Sequence, residues 1–140
     1  PVPVSARKES PMTFAVECID HVEVFVRDIE AAVRWYTDVL GLCEIQRWEP
    51  HPVMIGAGDT KLALFQADAD AKPLSDDDVR GKLHWYRVAW TVDHLGFEQA
   101  QAHLRGLNIE FRGPIDHGIA RSIYFEDIDG HPLEITCYDR

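Results

Sequence analysis

The chain has 140 residues, 46% of them hydrophobic and 27% charged, which suffices for one globular domain with a sizeable core. Its 14 Lys and Arg residues against 24 Asp and Glu residues give a formal net charge of −10, which argues against nucleic acid or an anionic membrane surface as partner. There is no apolar run of membrane-spanning length, and three cysteines without a CxxC pair indicate reduced, buried thiols and a cytoplasmic protein.

The N-terminal stretch, residues 1–17, contains three prolines and no hydrophobic periodicity, so we predict a flexible arm. Alternation of Val22, Val24 and Val26 with polar or aromatic residues then predicts a strand. Apolar residues at helical spacing follow Asp28, a natural N-cap.

Further short strands are predicted at 43–48, 52–55 and 61–65, and turn residues separate them. Residues 18–66 therefore form a first βαβββ module. Residues 67–82 are acidic and nearly devoid of large apolar side chains, which indicates a solvated linker with one short helical turn.

The second half of the chain, residues 83–140, repeats this order. Residues 21–26 align with residues 87–92 at an offset of 66, and the glycines expected to end the two helices in the left-handed conformation, Gly41 and Gly106, lie 65 apart. Strands are predicted at 86–92, 108–112, 120–126 and 132–138. The fold class is thus α+β, with two tandem βαβββ modules in one structural domain, forming a curved eight-stranded sheet cup with helices on its outer face.

Strand parity sorts the side chains of this predicted cup. The sets that face the helices are Val22/Val24/Val26, Val88/Trp90/Val92 and Leu133/Ile135/Cys137. The opposite face is polar and aromatic, as is typical of ligand sites; it holds His21/Glu23/Phe25, Arg87/Ala89/Thr91, Ser122/Tyr124/Glu126 and Glu134/Thr136/Tyr138.

Two stretches, IDHVEVFVRDIEAAVRWYTDVLGL at 19–42 and DHGIARSIYFEDIDGHPLEITCYD at 116–139, resemble the vicinal oxygen chelate superfamily. That superfamily contains glyoxalase I, extradiol dioxygenases, and fosfomycin- and bleomycin-resistance proteins. The resemblance implies a small-molecule ligand in the sheet cup. It leaves the reaction open, because the superfamily spans several enzyme classes and non-catalytic binders.

The resemblance also implies metal ligands by position. His21 and Glu134 match the ligand positions of metal-dependent members, which would suit Fe, Mn, Zn or Ni as a divalent ion. Arg87 stands where those members usually have a histidine, and a guanidinium cannot ligate a cation. Either His84 or Glu23 completes the set, or Arg87 replaces the metal by pairing with Glu134 or by holding a substrate oxygen.

Several other residues are candidates for the site. We predict His117, Tyr138 and Arg87 as catalytic residues, with the alternative that His117 is an ordinary exposed loop histidine. The predicted substrate-binding residues are Arg87, Trp48, Phe65, Tyr124 and Glu23.

Two functions of different classes follow from these residues. The first is an enzyme of the lyase, isomerase or dioxygenase type, acting on an oxygenated small molecule and working as a homodimer. The second is a non-catalytic protein that sequesters a planar or cationic compound, which the net charge of −10 favours.

Overall fold

The computed structural model describes residues 13–139, in which the secondary-structure elements form two matching series. The first series is β1 (Val22–Val26), α1 (Ile29–Leu40), β2 (Cys43–Arg47), β3 (Val53–Ala57) and β4 (Thr60–Gln66). The second is β5 (Val88–Thr91), α3 (His94–Gly106), β6 (Arg112–Asp116), β7 (Ala120–Glu126) and β8 (Pro132–Tyr138), and the short helix α2 (Asp76–Gly81) lies between them. The two βαβββ modules and the helical turn of the linker are confirmed.

Each module forms one four-stranded mixed sheet, with strand order β1-β4-β3-β2 in the first and β5-β8-β7-β6 in the second. The first and last strands of each module run parallel, and Glu23 lies opposite Ala63 just as Ala89 lies opposite Glu134. The internal repeat therefore extends to the strand register. Between residues 13 and 139 the eight strands are divided over two sheets without a closed barrel.

The ends of the two long helices agree only partly with expectation. Asp28 and Asp93 cap them, each accepting a backbone N–H three residues ahead, and Gly41 takes the left-handed conformation with φ 70°. Gly106 does not: α3 continues through it, and the left-handed residue is Asn108, with φ 58°. Asparagine tolerates this conformation better than most residues, so the left-handed position after the second helix does not require a glycine.

Three further expectations need correction or qualification. The strand predicted at 108–112 lies at 112–116, because the left-handed turn at Asn108 delays its start. Cys18 and Cys43 are exposed, and only Cys137 is buried. Of the predicted N-terminal arm, residues 1–12 lie outside the described residues, and residues 13–17 are exposed.

The helix-facing sides of both sheets contribute to a single hydrophobic core. It includes residues of α1, α3, β1, β3, β4, β7 and β8, and residues of β5 pack against it. A buried hydrogen bond joins the modules within it. The Tyr36 hydroxyl of α1 donates to the Asp127 carboxylate after β7 over 2.5 Å, and Asp127 also accepts the backbone N–H groups of Asp129 and His131, each over 2.9 Å. The opposite face of each sheet, called its free face below, is only partly accessible: Phe25 of β1 is 66% exposed, whereas Ser122 of β7 and Thr136 of β8 are buried and hydrogen-bonded to each other. No helix in the described part is long and apolar enough to cross a bilayer.

Candidate functional site

The free face of the second sheet opens into a cavity of about 720 Å³. Its walls come from the residue before β5, from the approach to β6 and from β7 and β8. The lining residues are Arg87, Ile109, Glu110, Phe111, Arg112, Tyr124, Phe125, Glu126 and Pro132. The size of this cavity falls in the range of small-molecule sites.

Tyr124 is the central side chain of this cavity. The guanidinium carbon of Arg87 lies 4.7 Å from the centre of its ring, and that of Arg112 lies 4.8 Å from it. The phenol oxygen lies 2.6 Å from Nε2 of His117, whose ring meets the tyrosine ring edge-on. Strand register explains the arrangement, since Arg112 and Glu134 are the cross-strand partners of Tyr124 on its two sides.

Arg87 is half-buried and incompletely bonded. One terminal nitrogen donates to the Tyr86 hydroxyl over 2.9 Å, and the guanidinium stacks on the Tyr86 ring at 4.3 Å. Its Nε is buried without a hydrogen-bond partner. Within residues 13–139 the ion pairs do not involve Arg87 or Arg112, so no carboxylate neutralises the two guanidinium groups at close range.

The free face of the first sheet differs in character because it is largely aromatic. Phe25 and Phe65 meet edge-on at 6.3 Å, and the His51 ring meets Phe65 at 5.5 Å. Phe25 is 66% exposed and Trp48 is 46% exposed, so this aromatic surface is accessible.

His21, directly before β1, lies between two carboxylates. Its Nδ1 lies 2.8 Å from Asp20 and its Nε2 lies 3.2 Å from Glu23, and Lys61 also bonds Asp20 over 3.1 Å. Hydrogen bonding to Asp20, and then to Glu23, raises the pKa of His21 above its usual value, because both acceptors favour the protonated ring. Protonation would remove the lone pair that a metal ion needs.

The donor set of one chain does not fit a divalent metal ion. In the described part of the chain, the His, Cys, Asp and Glu side chains do not converge in any group of three or more that could hold one. His21 bonds Asp20 and Glu23. Arg87, at the position where the resemblance implies a further ligand, carries a guanidinium, which cannot ligate a cation. His84 is exposed, and its ring nitrogens bond the carbonyl oxygens of Val79 and Trp85.

Of the predicted site residues, the structure brings Arg87, Tyr124 and His117 into direct contact, and places Glu134 beside Tyr124 by register. It places a second group on the face of the first sheet or next to it, namely His21, Glu23, Trp48 and Phe65. The roles of all these residues, and that of the 43% exposed Tyr138, stay predictions.

Sequence reasoning missed Arg112 and Asp127. Arg112 was assigned to the last position of a strand that in fact begins there, so its parity with Tyr124 was hidden. Asp127 belongs to the DxDG stretch at 127–130, and an acidic residue directly after a buried strand was the available signal.

Comparison with known proteins agrees with this architecture. The sequence model of the glyoxalase/bleomycin resistance protein/dioxygenase superfamily matches residues 18–135. A virulence protein of Salmonella typhimurium strain LT2 is 28% identical over 128 residues, covering 88% of this chain and 85% of the relative. Biphenyl-2,3-diol 1,2-dioxygenase 2 of Rhodococcus globerulus is 30% identical over 125 residues, covering 82% of this chain but only 60% of the relative. A crystal structure of a glyoxalase/dioxygenase from Nostoc punctiforme has the same fold, with a TM-score of 0.77 at 22% identity over 96% of this chain and 100% of that one.

Proposed function

The chain belongs to the glyoxalase/bleomycin resistance protein/dioxygenase superfamily, and from this premise we propose that it is an enzyme acting on a small oxygenated molecule. The observation that carries the proposal is the contact series Arg87–Tyr124–His117, in which Arg87 and Tyr124 line the cavity and His117 bonds the Tyr124 hydroxyl from outside the cavity lining. A molecule bound in the cavity would contact the fixed cation and the phenol directly and would reach the imidazole through the phenol. These are the groups that a proton transfer beside a carbonyl requires.

Each of these three residues has a distinct proposed role. Arg87 holds the substrate oxygen on which negative charge develops, because a guanidinium stays protonated and donates two parallel hydrogen bonds. His117 exchanges the proton with the substrate through the Tyr124 hydroxyl, 2.6 Å from its Nε2. The reaction class that this arrangement favours is that of a lyase or isomerase.

The proposal assigns no step to a metal ion. The reason is the donor set: Arg87 stands at a ligand position and would repel a divalent cation. Stabilising an enolate-like oxygen is a role that a guanidinium and a metal ion can both fill.

We further propose that the working form is a homodimer in the cytoplasm. Phe25 is 66% exposed, and Leu83 and Trp85, in the segment leading to β5, are almost fully exposed. Accessible apolar surface of this kind is typical of protein–protein contacts, and a second copy would cover the aromatic face of the first sheet. Light scattering should give twice the 16.0 kDa mass of the chain, and Trp85→Ser should shift the protein towards 16.0 kDa. A wild-type protein of 16.0 kDa at all concentrations would rule the dimer out.

The test of the activity is proton exchange with solvent. The full chain is incubated in D₂O with 2-oxo acids and 1,2-diketones, and loss of the proton signal beside the carbonyl is followed by NMR. We expect exchange above the uncatalysed rate, reduced about 100-fold in His117→Gln. His94→Gln, on the exposed start of α3, is the matched control and should keep the wild-type rate. Absence of exchange, or oxygen consumption with catechol instead, would refute the lyase or isomerase assignment.

The second candidate function is a non-catalytic binding protein. The edge-to-face cluster of Phe25, Phe65 and His51 favours it, because aromatic walls bind planar compounds without any chemistry. Tight binding of a planar compound that is recovered unchanged, with quenching of Trp48 fluorescence, would support this function over the enzyme.

A further inference from the structure

We infer that Arg87 and Arg112 form a clamp around the Tyr124 ring that binds the carboxylate of a small organic monoanion. The inference deepens the proposed function, on which it rests for placing the substrate in this cavity, by naming the class of molecule that enters. Arg112 is thereby assigned as a second specificity-determining residue.

Two guanidinium groups lie against the Tyr124 ring, and in the described part of the chain neither is paired with a carboxylate. Both guanidinium carbons lie within 5 Å of the Tyr124 ring centre, yet neither group has a carboxylate within 4 Å among residues 13–139. The buried Nε of Arg87 has no acceptor. Because this nitrogen is itself buried, an entering anion would accept from the terminal nitrogens of the guanidinium groups, where the remaining donors lie.

The acidic residues of the cavity lining bear on the charge of the ligand. Glu110 and Glu126 also line the cavity, so its negative side chains balance the two arginines in number. Both glutamates repel any anion, and this repulsion grows with the ligand's charge, so a monoanion is favoured over a dianion such as a phosphate ester. A carboxylate also matches the guanidinium fork in geometry.

The apolar residues of the cavity lining bear on the rest of the ligand. Ile109 and Phe111 line the same cavity as the two arginines and Tyr124. An apolar or aromatic body attached to the carboxylate would bury surface against these side chains. The cavity of about 720 Å³ has room for a body of this kind.

The experiment measures binding of benzoate and of benzamide, its neutral counterpart, to the full chain by NMR titration at constant ionic strength. We expect benzoate to bind at least about tenfold more tightly than benzamide. Arg87→Gln and Arg112→Gln should each weaken benzoate at least about tenfold, the loss of roughly one charge-assisted hydrogen bond. The matched control is Arg105→Gln, because the Arg105 guanidinium stacks on Phe111 at 5.2 Å but lies outside the cavity lining. This variant should bind benzoate as tightly as the wild type does.

Arg112→Lys keeps the charge without the planar fork, so its affinity for benzoate should fall between those of the wild type and Arg112→Gln. Melting temperatures establish that each variant is folded. Equal binding of benzoate and benzamide, an equal loss in Arg105→Gln, or inorganic phosphate competing as well as benzoate would overturn the clamp. If benzoate fails to bind while 2-oxo compounds still exchange protons, the clamp fails and the proposed function stands. If benzoate binds as expected but no exchange occurs, the clamp stands and the proposed enzyme fails.

Discussion

The two sheets have the same topology and register, but their free faces carry different chemistry. The first presents the exposed ring of Phe25 in contact with Phe65, together with His21, which is bonded to two carboxylates. The second presents two arginines, a tyrosine and a histidine. The core-facing positions remain apolar in both, so the repeat constrains the side that packs and leaves the other side free to differ.

Equivalent positions make the difference concrete. Arg87 corresponds to His21 at the offset of 66, and Glu134 corresponds to Ala63 because each lies opposite the equivalent residue of its module's first strand. Tyr124 occupies the place of Met54, because Tyr124 pairs with Glu134 and Met54 pairs with the equivalent residue Ala63. The residues that line the cavity thus all belong to the second module, whereas the corresponding face of the first module carries the ring pair Phe25 and Phe65 beside the residues His21 and Glu23 of the same strand face.

The largest effect should come from the loop after β7. There Asp127 is a buried hydrogen-bond acceptor, whereas the residues of the turn after β3 are exposed. Asp127→Ala leaves the Tyr36 hydroxyl and two backbone N–H groups without their buried acceptor. We expect a loss of about 3 kcal/mol or more in the free energy of unfolding. Asp59→Ala, in the exposed turn of the first module, should change it by less than about 0.5 kcal/mol. Chemical denaturation measures both, and equal losses would show that the two loops do not differ in this way.

The second prediction compares equivalent residues of the two free faces. Arg87→Gln should lower kcat/KM for a turned-over 2-oxo compound about 100-fold, because it removes the donor to the developing negative charge. His21→Gln, at the equivalent position of the first module, should lower it less than about threefold. A larger effect at His21 would move the chemistry to the first sheet.

The third prediction uses the two helix-ending glycines. Gly41→Ala should destabilise the protein by about 1 kcal/mol, because φ 70° strains any residue with a Cβ. Gly106→Ala should stabilise it by about 0.5 kcal/mol, because Gly106 is helical and an added Cβ meets nothing within 4 Å. Thermal unfolding gives both values, and a shift of the same sign for both would contradict the assignment of Asn108 as the left-handed residue.

The smallest effect concerns the protonation of His21. Its pKa lies above the usual value, chiefly because of the hydrogen bond to Asp20, so the ring keeps its proton to higher pH than a free histidine. Asp20→Asn removes the larger cause and should move the titration midpoint down towards 6.5, whereas Glu23→Gln should move it less. Ring NMR signals followed against pH measure this order, and a larger shift in Glu23→Gln would reverse the roles of the two carboxylates.

The repeat, the capped helices and the parity of β1, β7 and β8 could be predicted because each depends on local patterns in the chain. The location of β6 could not, since Asn108 in the left-handed conformation displaced the strand and hid Arg112. Net charge does not describe the surroundings of a single ring. The value of −10 describes the whole surface, whereas Arg87 and Arg112 set the charge at the Tyr124 ring.

Histidines outside the candidate site show a further limit of sequence reasoning. His131 follows a turn in the sequence, yet its Nε2 lies 2.9 Å from the carbonyl oxygen of Phe25, more than a hundred residues away. His103 likewise reaches the carbonyl of Asp38 over 2.8 Å. Such contacts depend on how the modules pack together, and neither module's pattern contains that information.

The bond between Tyr36 and Asp127 means that the unit repeated in the sequence is not the unit that folds. Each end of this bond lies in a different module, and α1 of the first module also packs Trp35 against Phe125 of the second. A single module expressed alone would expose a buried phenol or carboxylate together with half of a core. Core amides of both modules should therefore exchange their hydrogens through one shared global opening, so that the duplicated halves unfold as a single cooperative unit.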